Sequence, residues 1–94
     1  MANARYLVTS DDILRIEAVI ERNALGYRAS VCDKDHKATE LVSMQYRHRG
    51  DAYNGAMELF NARRDAILNR MSEAQRAQYY ADKDAEARAL FAKL

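Results

Sequence analysis

The sequence predicts an all-α protein, a small bundle of three to four helices with a long helical hairpin, in one domain over residues 1–94. Three observations lead there. The chain has no proline and only three glycines, so little in it interrupts a helix. Ala, Leu, Arg, Glu and Met are frequent, and these side chains lose little on entering a helix. Apolar residues also recur at i, i+3 and i+4 through long stretches, the spacing of one helix face.

The first helix is placed at about 11–25. Thr9-Ser10-Asp11-Asp12 reads as its start, with Ser10 as cap and two carboxylates in the first turn, where the dipole favours negative charge. Ile13, Ile16, Val19 and Ile20 follow at helical spacing, and Gly26 stands where a left-handed residue would close the helix.

Residues 27–46 fit two templates. Ala38, Leu41, Val42 and Gln45 share a helical face, whereas Tyr27, Ala29 and Val31, then Val42, Met44 and Tyr46, alternate as strands do. Asp33-Lys34-Asp35-His36 reads as a turn between them. The run from Ala38 lacks dense β-branching and is read as helix. The rival is a β-hairpin over about 27–46, which makes the domain α+β.

The helical signal returns at Asp51. Tyr53, Ala56, Met57, Phe60, Ile67, Leu68 and Met71 form a stripe. Ser72-Glu73-Ala74-Gln75 then matches the S-x-x-Q capping box, so a bend separates this helix from a last one at about 73–92. The stripe of that last helix is Ala77, Tyr80, Ala81, Ala87, Phe91 and Leu94, interrupted by Asp82-Lys83-Asp84. It buries less, and is expected to fray or to lie against a second subunit. The stretch from Tyr46 to Gly55 is the junction before the long helix. Gly50 ends one segment and Asp51 caps the next. The alternative is a single bent helix from about 38 to 71, because a glycine inside a helix costs only about 1 kcal/mol relative to alanine.

The net charge of +1 excludes a histone-like polycation and a nucleic-acid mimic. The lone Cys32 can form no intramolecular disulfide, which points to a reducing compartment. The first residues lack the apolar core of a signal peptide. No apolar run approaches the roughly 18–20 residues of a membrane span. A cytoplasmic protein without membrane contact is expected.

The one basic excess lies in residues 27–50, where Arg28, Lys34, Lys37, Arg47 and Arg49 outnumber Asp33, Asp35 and Glu40. Tyr46, Arg47, His48, Arg49 and Tyr53, joined by Arg28 if the preceding segment folds back, form the candidate binding cluster. Guanidinium groups take phosphates in bidentate fashion, and tyrosine faces stack on bases. The plainer interpretation is a solvated helix end. So small a charge suits a nucleotide, a short RNA or an acidic protein groove better than an extended DNA footprint. Arg49-Gly50-Asp51 spells a cell-attachment tripeptide, too short to carry a function by itself.

Cys32 and His36, with Asp33 and Asp35, lack the second ligand pair that would complete a tetrahedral metal site. A nucleophilic Cys32 with His36 or His48 as base lacks a legible oxyanion site. No enzyme, cofactor or metal is expected. Tyr79 and Tyr80 point about 100° apart on a helix. With Phe60 and Phe91 they are the interface candidates, since buried aromatics dominate interface energetics. The function expected is that of a non-enzymatic binding protein, a homodimer or larger, that occludes or adapts a macromolecular partner such as a bacterial protein. Small phage-encoded inhibitors of host machinery are of this general kind. The alternative is a nucleic-acid or nucleotide binder using the cluster at 46–53.

Overall fold

The computed structural model describes residues 4–35 and 39–94. It is α+β and not a helical bundle. Strands β1 (Arg5–Asp11), β2 (Ile16–Asn23), β3 (Gly26–Asp33) and β4 (Thr39–Tyr46) precede helices α1 (Arg49–Asn69) and α2 (Glu73–Ala92). The strands form one antiparallel sheet in the order β1-β2-β3-β4.

The helix expected at 11–25 is therefore a turn followed by a strand. Ile16 and Ile20 satisfy a period of two as well as a helical one, Ala18 between them fits only the period of two, and all three are buried. The stiff β-branched Ile16, Val19 and Ile20 favour the pleated backbone. Ser10 and Asp11 cap no helix. Asp11 Oδ1 accepts the N–H groups of Ile13 and Leu14, each at 2.9 Å, which makes the bend a carboxylate-stapled turn. Arg15, at φ 59°, completes the reversal. Gly26 does take a positive φ, 129°, but to open β3 and not to close a helix. A Cβ there would stand 2.2 Å from the Tyr46 carbonyl oxygen, so only glycine lets the β2–β3 turn lie against the end of β4.

The hairpin read as the rival for 27–46 is present, with Tyr27 opposite Tyr46 and Val31 opposite Leu41. The helix over 38–46 and the bent helix over 38–71 are overturned. α1 begins at Arg49, with His48 in the capping position and Asp51 in the first turn, so Gly50 lies inside the helix.

α1 crosses one face of the sheet. Its Ala52, Ala56 and Phe60 pack with Ile16, Ala18, Ile20, Ala29 and Val31 in the core. Small residues at 52, 55 and 56 bring the helix close, and the Tyr46 ring fills the space over Gly55. The buried stripe is turned from the expected one, since Tyr53 is 48% exposed. α2 opens with the capping box read from the sequence: Ser72 Oγ accepts the Gln75 N–H at 3.2 Å, and Gln75 Oε1 accepts the Ser72 N–H at 2.9 Å. Only Tyr79 of α2 is buried.

That last helix makes the molecule open. The radius of gyration is 15.1 Å, against about 12 Å for a compact chain of this length. The accessible surface is 6672 Å², against roughly 5,500 Å² from the mass scaling of folded monomers.

Candidate functional site

The antiparallel order brings the start of β1, the end of β2, the start of β3, the end of β4 and the N-terminus of α1 to one end of the sheet. Arg5, Arg22, Arg28, Arg47, His48 and Arg49 therefore gather there, with Glu21 and Asp51 as the nearby acids. All six basic groups are exposed. The Arg49 guanidinium lies 4.4 Å from the centroid of the Tyr6 ring, a cation–π contact, and Tyr53 follows it one turn later on α1.

The structure places Arg47, His48, Arg49 and Tyr53 around one corner and removes two members of the candidate cluster. Tyr46 packs inward, against the core and over Gly55. Arg28 alternates with the buried Ala29 and so lies on the face away from α1. Arg22 is the member that the sequence reading missed, because it was assigned to a helix. As a strand residue it pairs with Tyr27, which pairs with Tyr46. The Arg49-Gly50-Asp51 tripeptide is the first turn of α1 and not an extended loop.

At the other end of the sheet α2 is moored by Asp11. The Tyr79 hydroxyl donates to Asp11 Oδ2 at 2.6 Å, and Lys83 Nζ lies 3.6 Å from the same oxygen. Burial pushes the Asp11 carboxyl up, but the bonds from Tyr79, Leu14 and Ile13 and the Lys83 charge outweigh it and hold the carboxyl below its ordinary value. Burial and the bond to Asp11 hold the Tyr79 hydroxyl protonated well above the usual phenol range. A cleft of about 360 Å³ beside this mooring is lined by Arg64, Asp65, Leu68, Tyr79, Tyr80 and Lys83.

Beyond the mooring α2 runs free. Tyr79, Lys83, Glu86 and Leu90 follow one another on one face. That face is buried at Tyr79, yet Leu90 is 68% and the neighbouring Phe91 73% exposed. Tyr80 and Leu94 are exposed too. Of the interface candidates, Tyr80 and Phe91 are at the surface, whereas Phe60 is in the core and Tyr79 is inside the mooring.

Cys32 is buried on the face away from α1; the Arg5 guanidinium donates to its sulfur at 3.5 Å, and the sulfur and the Ser30 hydroxyl share a hydrogen bond at 3.9 Å. His36 lies outside the described residues. His48 follows Tyr46, which pairs with Tyr27, five strand residues from Cys32, or roughly 17 Å along β3. Those two do not form a nucleophile–base pair. Among the described residues no group of three His, Cys, Asp or Glu side chains could hold a metal ion, and no helix is long and apolar enough to cross a membrane. No protein-family model, curated protein or solved structure matches the chain.

Proposed function

We propose that this chain is a non-enzymatic binding protein that acts through the free part of α2, and that the first occupant of that surface is a second copy of the chain. One observation carries the reading: the inner face of α2 continues past the body and leaves Leu90 and Leu94 in solvent, with the exposed Phe91 beside them. A helix that buries a single residue gains little from tertiary packing, the source of most helical stability in proteins. The surface in excess of a compact monomer, about 1,100 Å², is of the order that one partner buries in a standard interface, about 800 Å². Self-association through α2 leaves the basic end of the sheet, on the other side of the core, open to further contacts.

Size-exclusion chromatography with light scattering tests this. Wild type is expected to run as a dimer or larger, and Leu90→Ser with Phe91→Ser as a folded monomer. A wild-type monomer at high concentration, or an oligomer that the double variant leaves intact, overturns the reading.

A further inference from the structure

We propose that the end of the sheet carrying Arg22, Arg47, His48, Arg49 and Tyr53 is a binding site for single-stranded nucleic acid, with backbone phosphates on the arginines and a base on the Tyr53 face. The site lies apart from the α2 surface and does not depend on self-association.

The contrast between the two ends of the sheet leads to this. At the mooring end each of three cations has a carboxylate: Arg15 pairs with Asp35, Lys34 with Asp12, and Lys83 with Asp11. At the basic end, among the described residues, no carboxylate is in ion-pair contact with Arg22, Arg47 or Arg49. Exposed cations left without acids concentrate a positive field in a protein whose net charge is only +1. Three arginines can each take a phosphate through the paired donors of the guanidinium fork.

Aromatic faces are the second ingredient. Four of the six tyrosines, Tyr6, Tyr27, Tyr46 and Tyr53, stand at this end. Tyr6, Tyr27 and Tyr46 pack against the core and stiffen the platform. Tyr53, 48% exposed, offers a ring to solvent one helical turn from Arg49. Cations that track a backbone beside an exposed ring are the means by which single strands are held without regard to sequence. A duplex hides its base faces, and an acidic peptide has none, so the ring favours a single strand over either.

Fluorescence anisotropy with short labelled oligouridylate and oligothymidylate tests the site. Wild type is expected to bind at low salt, with log K falling against log salt at a slope of about −2 for three phosphates. Arg22→Ala and Arg47→Ala should each flatten the slope by about 0.7. Tyr53→Ala should weaken binding roughly tenfold and leave the slope alone. All three side chains are exposed, and circular dichroism checks that each variant folds. Absence of binding at low salt, a slope unmoved by the arginine changes, or equal affinity for a duplex or for polyglutamate overturns the proposal.

Discussion

The hydroxyl of Tyr79 donates to the Asp11 carboxylate across 68 residues of sequence, and both groups are buried. This bond, with the Lys83 ion pair to the same oxygen, moors α2 to the β1–β2 turn. Tyr79→Phe keeps the ring and removes the donor, leaving a buried charge with one partner fewer. The expected loss is about 1.5–3 kcal/mol in urea unfolding. Hydrogen exchange should quicken along α2 before α1, since α2 has no other buried residue. Equal acceleration along both helices would show that the bond does not serve α2 in particular.

The same carboxylate sets an acid limit. Its folded-state pKa lies below the ordinary value of 3.8. The stabilisation is therefore present above that value and fades as pH falls through it towards the folded pKa. Stability measured between neutral pH and pH 3 should drop at the acid end, and Asp11→Asn should flatten that limb while lowering stability at neutral pH. An acid limb of unchanged steepness in Asp11→Asn would assign the limb to other carboxylates.

Two glycines of α1 should respond in opposite directions to alanine. A Cβ at Gly55 would come within 2.3 Å of the Tyr46 hydroxyl and 2.7 Å of its ring carbon Cζ, whereas one at Gly50 meets nothing within 4 Å. Gly55→Ala has to push the Tyr46 ring out of its seat, at about 1–3 kcal/mol. Gly50→Ala should stabilise by about 0.5–1 kcal/mol, because it lies in the helix and restricts only the unfolded chain. Thermal unfolding of the two variants side by side gives both signs.

How far the fold was legible depended on what competed with local pattern. The capping box at Ser72 and Gln75 is a local device, and it stands where the sequence placed it. The helices around it were legible for the same reason, apart from the start of α1 before Gly50. Residues 11–25 read as a helix because Ile16 and Ile20 suit both periods, and what decides between them is the partner strands: Ala18 opposite Val31, and Ile20 opposite Ala29. Those pairings are non-local, and no short window contains them. The hairpin at 27–46 is legible as an alternative through its alternation, and it calls for a further strand upstream, since a hairpin alone is marginal and needs a third strand. The cluster from Arg47 to Tyr53 is legible in composition, whereas its place at a corner rests on where β4 ends and α1 begins. Arg22 is not legible there, because its place beside the corner exists only once β2 is a strand. The Asp11–Tyr79 bond has no local signal, since in sequence Asp11 reads as a first-turn carboxylate and Tyr79 as an interface aromatic.

Phe60 and Phe91 were grouped as interface candidates, and the fold separates them: one is 5% and the other 73% exposed. Phe60→Ala should cost about 3–5 kcal/mol through the cavity it leaves, a large share of the roughly 5–15 kcal/mol that holds a domain together. That loss should appear at every protein concentration. Phe91→Ser removes no core contact. If α2 meets a second copy, the wild-type Tm rises with concentration, because association draws on the folded state. Phe91→Ser should abolish that rise and keep the Tm of dilute wild type. A Tm independent of concentration in wild type would remove the second copy as the occupant of the α2 surface, while leaving the core assignment of Phe60 standing.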